Sequence, residues 1–198
     1  MRDHTIDIPY QLSQLPFKFS EESLNNIVSR MTSETLARGE IFSKQGKVCE
    51  KIGILLKGVL YASFCPANES DEKVSRFFYS PRNIIVTSFE SFNGGTVSSE
   101  SIIALEDSYL LCIRKKDLDQ LYELSTEINY IGRKLAEESY LQLFRRARAL
   151  QILKGEELIK EFWQTHRELV NHPSISIQQV ASYLGMHRNT YTKLLNKC

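Results

Sequence analysis

Three features of the sequence predict an α+β chain. Its first half carries short apolar runs punctuated by glycine and proline, its second half a long helical periodicity free of proline, and its end a capped pair of short helices. The expected architecture is a barrel, roll or sandwich of strands, one long helix and a C-terminal helix-turn-helix. The expected boundaries are 1–124, 125–153 and 154–198.

The elements follow in order. Ser20 is placed to cap a helix that carries Leu24, Ile27, Val28 and Met31. From Leu36 the texture changes to runs at 52–56, 59–64, 74–79, 84–87 and 102–113, with glycines at 39, 46, 53, 58, 94 and 95 between them. Lys57-Gly58 separates two of these runs as a tight hairpin turn would. From Asp117 the pattern is helical. Ser125 or Thr126 starts a helix that runs to about Leu153, with Gly132 its weak point. At 1.5 Å per residue that helix is a rod of roughly 40 Å. Ile128, Ile131 and Leu135 recur at helical spacing and are the candidate dimer face, followed by Tyr140, Leu143, Phe144, Ala147 and Leu150. The alternative is a helix buried within a single subunit. A further helix is expected near 156–170, with Leu158, Ile159, Phe162, Trp163, His166 and Val170 inward.

Bulk composition sets limits. With 198 residues, 42% hydrophobic and 25% charged, the chain has the make-up of a globular protein with one large core or two small ones. No apolar run approaches the roughly 18 residues a membrane helix needs. The N-terminus lacks the basic start and apolar core of a signal peptide, so a cytoplasmic location is expected. Cys49, Cys65, Cys112 and Cys198 are scattered, which argues for free thiols and against a metal or iron–sulfur site. All four histidines lie outside residues 20–113, which removes the ligands a metal-dependent β-barrel enzyme would need. No catalytic residues, metal or cofactor are expected. Charge is unevenly spread. Residues 1–113 hold 11 basic and 14 acidic side chains, whereas residues 114–198 hold 14 basic and 10 acidic ones. No acid occurs after Glu168, an arrangement that suits a polyanionic partner at that end.

The most specific stretch is 174–197, SISIQQVASYLGMHRNTYTKLLNK. Ser176 with Gln179 three residues on matches a capping box. Ile177, Val180, Ala181 and Leu184 form the inner face of the helix it opens. Ala181 is small enough for a steep helix crossing, and Gly185 supplies the sharp turn. A second helix from about His187 to Asn196 turns Tyr191, Leu194 and Leu195 inward. Its outer face carries no acid. Arg188 is placed for a bidentate contact to guanine and Asn189 for one to adenine, each worth on the order of 1–3 kcal/mol of discrimination. Lys193 reaches a base or a phosphate. Ser176, Gln178 and Thr190 are expected on phosphates, Lys197 extends the basic face, and His187 contributes there or as a helix cap.

These residues also resemble a known family. ARGEIFSKQGKVCEKIGILLKGVLYASF, ALEDSYLLCIRKKDLDQL and VASYLGMHRNTYTKLL together resemble the cyclic-AMP receptor protein / fumarate-nitrate regulator (Crp/Fnr) family of bacterial transcription factors over nearly the whole chain. The resemblance implies a cyclic-nucleotide-binding-like β-roll (a double-stranded β-helix), a long dimerisation helix and a winged-helix-like DNA domain. Its implied partners are double-stranded DNA, a second copy of the chain in a homodimer on a palindromic site, and RNA polymerase. It also implies a small-molecule effector in a pocket of Arg76, Glu90, Ser98 and Ser99. The family's phosphate-binding Arg-Ser is replaced here by Ser98-Ser99, followed by Glu100, so an effector other than cyclic AMP is expected. Because the sequence ends at Cys198, the wing strands are expected to be short or missing. The competing reading is a ligand-sensing or protein-interaction module of this fold that has lost DNA binding.

Overall fold

The computed structural model describes residue 10 and residues 18–66, 72–80 and 84–196. Helix α1 (Glu21–Val28) is capped by Ser20, whose hydroxyl accepts from the Ser23 amide at 3.3 Å. Among the described residues, eight strands follow: β1 (Thr32–Leu36), β2 (Ile41–Ser43), β3 (Lys51–Lys57), β4 (Val59–Phe64), β5 (Lys73–Tyr79), β6 (Ile85–Val86), β7 (Ser101–Ala104) and β8 (Ser108–Arg114). They form two four-stranded antiparallel sheets, ordered β1-β8-β3-β6 and β2-β7-β4-β5. Alternation along each strand sends one set of side chains between the sheets. Leu55, Leu60, Phe78, Ile102 and Leu110 meet there, each at most 1% exposed.

Several expectations are corrected. Lys57-Gly58 is not a hairpin, because β3 and β4 belong to different sheets. The run expected at 102–113 is two strands, β7 and β8, which also lie in different sheets. The two crossings meet. Gly58 has φ +105°, and a Cβ there would lie 2.8 Å from the Ser108 Cα. Only glycine fits where one sheet-to-sheet corner rests on the other. Strand β6 is only Ile85–Val86, and β1, β2 and the short helix α2 (Phe89–Gly94) were not expected. The polar sequence of β1, TSETL, carries no alternation to signal it.

Helices cover both outer faces. Leu111 and Ile113 of the first sheet pack with Ile27 of α1, Leu121 of α3 (Lys115–Leu124) and Ile128 of α4 (Thr126–Ile152). Helix α4 is 27 residues long, and its N-cap Ser125 accepts from the Ile128 amide at 3.3 Å. This packing corrects the dimer face. Ile128 and Ile131 are 4% and 7% exposed and are buried within the subunit, and Leu135 is half-buried. The large exposed apolar side chains of α4 are Tyr130, Tyr140, Leu141, Leu143, Phe144 and Ile152. The second sheet turns Val59, Tyr61, Val74, Phe77 and Tyr79 toward the C-terminal helices.

Gly132 has a packing reason rather than being a flaw in α4. A Cβ at this position would lie 2.6 Å from the Tyr122 ring, which α3 lays against α4. Helix propensity alone predicts that Gly132→Ala stabilises by about 1 kcal/mol. Overpacking reverses the sign, and we expect a net loss of about 1–2 kcal/mol, read as a lower midpoint in urea unfolding.

Candidate nucleic-acid interface

The C-terminal helices build a small head. Helix α5 (Glu156–Thr165) buries Leu158, Ile159 and Phe162. It ends at Thr165, short of the expected 170, and a 3-10 turn at Arg167–Leu169 follows. Helix α6 (Ile177–Tyr183) opens on the complete capping box. Ser176 Oγ accepts from the Gln179 amide at 3.2 Å, and Gln179 Oε1 accepts from the Ser176 amide at 2.8 Å. Gly185, at φ +66°, turns the chain into α7 (Arg188–Leu195). Val180, Ala181, Leu184 and Tyr191 lock the two helices together, with Ala181 fully buried at the crossing. Ile177 is a correction. Expected inside, it is 43% exposed at the first position of α6. Tyr183 takes an inner position that the sequence reading missed.

The residues singled out for DNA sit together on the outside. Ser176, Gln178, His187, Arg188, Asn189, Thr190 and Lys193 are all exposed, and Lys197 lies outside the described residues. His187 is the N-cap of α7, its Nδ1 accepting from the Asn189 amide at 3.3 Å. That bond fixes the first turn, from which Arg188 and Asn189 project. The Thr192 hydroxyl donates back to the Arg188 carbonyl at 3.0 Å, so Thr192 serves its own helix. No carboxylate occurs on α6 or α7.

The head is fastened to the roll by α6. The Val74 amide at the start of β5 donates to Ser182 Oγ at 2.9 Å, and that hydroxyl donates to the Glu72 carbonyl at 3.3 Å. Phe77 and Tyr183 meet with ring centroids 5.3 Å apart. Ser174 Oγ donates to Glu106 Oε2 at 2.8 Å, on the turn between β7 and β8.

The expected effector residues divide. Arg76 lines a cavity of about 440 Å3 bounded by β5, the second half of α4 and the head. Its Nη2 donates to Glu100 Oε1 at 2.9 Å and to the Thr87 carbonyl at 3.2 Å. Burial pulls this guanidinium below the usual arginine range. Glu100 opposes that shift, and the neighbouring Arg146 charge adds to it. Glu90, Ser98 and Ser99 do not line this cavity. Ser99 Oγ donates to Glu90 Oε2 at 3.1 Å near the surface, while the buried Ser98 hydroxyl donates to the Glu100 carbonyl at 2.7 Å and lies 2.9 Å from the Ser88 hydroxyl. Among the described residues no group of three metal-ligating side chains occurs, and no helix is long and apolar enough to cross a membrane.

Because the capping box closes two otherwise orphaned amides, Ser176→Ala is expected to cost about 1 kcal/mol of stability. Ser176→Asp should retain it, and urea unfolding of the two variants checks the pair.

No protein-family model matches the chain, and no curated protein matches it. Solved structures do. A candidate transcriptional regulator of the crp/fnr family from Eubacterium rectale superposes with a TM-score of 0.69 at 14% identity, over 90% of this chain and 83% of that one. The c-di-GMP-responsive global regulator CLP of Xanthomonas campestris gives 0.66 at 17% identity, over 90% and 91%. A variant of CooA from Carboxydothermus hydrogenoformans gives 0.65 at 14% identity, over 93% and 85%. At these identities the superpositions show the fold alone, and the chain has the fold of the Crp/Fnr transcriptional regulators.

Proposed function

We propose that this protein is a sequence-specific DNA-binding transcriptional regulator of the Crp/Fnr type. The observation that carries the reading is the exposed, acid-free face of α7 and the N-terminus of α6, on which Arg188, Asn189 and Lys193 stand clear of the fold. A helix of this size enters the major groove, where arginine pairs with guanine and asparagine with adenine, while Ser176, Gln178 and Thr190 set register on the phosphates.

In this reading the protein works as a homodimer, each copy placing one head on a half-site. Two-fold symmetry then calls for a palindrome with half-sites about one helical turn apart, ~10–10.5 bp. The apolar stripe on the outer side of α4 supports the dimer. Tyr140 is 65% exposed and Phe144 53%, and their rings stack on each other, uncovered by the described residues of one subunit. Apolar surface gathered in this way marks an association site. The roll is the sensory part, answering to an effector other than cyclic AMP.

Selection of bound sites from random duplexes, followed by gel shift at two salt concentrations, tests the reading. The expected result is a palindromic consensus whose affinity falls steeply with salt. Arg188→Ala is expected to weaken binding by about 1–3 kcal/mol and to relax one position in each half-site. Failure to retain any duplex at low ionic strength would sink the proposal. Phe144→Glu is expected to give monomers in sedimentation velocity and to lose the palindrome preference with the fold intact. A variant that stays dimeric removes α4 as the interface.

A further inference from the structure

We propose that His187 is a proton-gated positioning residue. Its neutral imidazole aims Arg188 and Asn189, so acidification lowers sequence discrimination while it raises the attraction to any duplex. The inference rests on the regulator reading and names a regulation of the same face.

Helices α1, α4 and α6 are capped by the hydroxyls of Ser20, Ser125 and Ser176. A serine hydroxyl keeps its acceptor lone pairs whatever the pH. Helix α7 departs from this pattern, because its cap is an imidazole. His187 Nδ1 accepts from the Asn189 amide at 3.3 Å. A ring nitrogen accepts only while it carries no proton, which in a neutral imidazole puts the proton on Nε2. In the imidazolium both nitrogens are donors, so one N–H is turned toward another and the bond is lost. Histidine is the side chain whose charge changes between about pH 5 and 8. The sign follows. The cap is present above the titration of His187 and absent below it.

Helix α6 has two reciprocal cap bonds, between Ser176 and Gln179, whereas α7 has the single side-chain bond from His187. Asn189 lies in the first turn, where an amide has no acceptor within its own helix. Arg188 and Asn189 are the first two residues of α7, which is eight residues long. So short a helix depends on its ends, and the end held by the cap is the one placed to read bases. Lys193 lies more than a turn further in and is not held by this bond.

No neighbouring charge overrides the ring. Arg188 and Lys193 are the charged side chains of α7, and both are positive. Helix α6, which packs against it, has no Asp, Glu, Lys or Arg, and the phenols of Tyr183 and Tyr191 belong to buried side chains. Helix α5 meets the far end of α7, where a Cβ on Gly155 would lie 3.9 Å from Leu194. Among the described residues no carboxylate forms an ion pair with His187. Its imidazolium stands beside Arg188 at the positive end of a helix, where duplex phosphates are the groups that welcome it. Acid thus exchanges an aimed helix end for one more positive charge.

Gel-shift competition between a selected duplex and a scrambled one, at about pH 8 and about pH 5.5, tests this with the wild type and His187→Ser. In the wild type the preference for the selected duplex is expected to fall about three- to tenfold on acidification, from the loss of one cap. His187→Ser keeps an acceptor at both pH values and should hold its preference constant, which separates His187 from the other three histidines. NMR of the free protein supplies an arm that needs no DNA. Neutral His187 is expected to carry its proton on Nε2. The Asn189 amide resonance should move as the ring titrates, with no such step in His187→Ser. Should that variant prove unfolded by circular dichroism, the wild-type spectra decide. The proposal is overturned if the neutral ring is protonated on Nδ1, if the Asn189 amide ignores the titration, or if both proteins lose preference equally. A protein that retains no duplex sinks the regulator reading, while the free-protein spectra still decide whether a proton gates the cap.

Discussion

The outer face of the second sheet and the C-terminal head share a single apolar cluster, and the placing of α7 on the roll depends on it. Val59, Tyr61, Val74, Phe77 and Tyr79 come from the sheet, and Ile159, Phe162, Val180, Ala181 and Tyr183 from the head. Each large side chain buried there contributes on the order of 1.5–3 kcal/mol. The apolar contact is not directional, so it holds the head without aiming it. Aim comes from the polar fastenings, Val74 to Ser182 and Ser174 to Glu106, which fix α6 in register on β5 and on the β7–β8 turn. Strand β5, at the sheet edge, is thus bonded directly to the helix that supports α7. Close-packed interfaces of this kind switch between discrete arrangements rather than bending smoothly.

What the sequence disclosed depended on whether the governing physics was local. Caps are local. Ser20, Ser125 and the Ser176–Gln179 box each announce a helix start by satisfying amides within three residues, and each helix begins where its cap stands. Gly185 and the crossing at Ala181 were legible for the same reason, as the turn and the small residue lie four positions apart. The sheet corners were not. Nothing within a few residues of Lys57-Gly58 distinguishes a hairpin from a passage between sheets. That distinction is made by Ser108, fifty positions away, whose Cα a side chain at 58 would strike. Strand β1 was hidden differently. Its partner β8 supplies the apolar residues, a continuous buried run from Leu110 to Ile113, and β1 contributes mainly backbone pairing from Thr32 to Leu36.

Helix α4 shows why an apolar period alone does not reveal what a face is for. Two stripes run along it, one through positions 128, 131 and 135 and another through 137, 141 and 144, and both carry apolar residues. The first turns settle against Leu121 and the first sheet, so the stripe that reads as a symmetric interface is used up inside the subunit. Further along, the inner stripe becomes Ser139, Gln142 and Arg146 while the outer one becomes Leu141 and Phe144. The helix therefore exchanges its apolar and polar sides as it leaves the sheet. A rod that only spanned the distance between roll and head would gain nothing from that exchange. It would leave aromatic rings facing water, and it would carry a buried guanidinium Nε with no acceptor. The exposed rings of that far half are the ones the proposed second copy would cover.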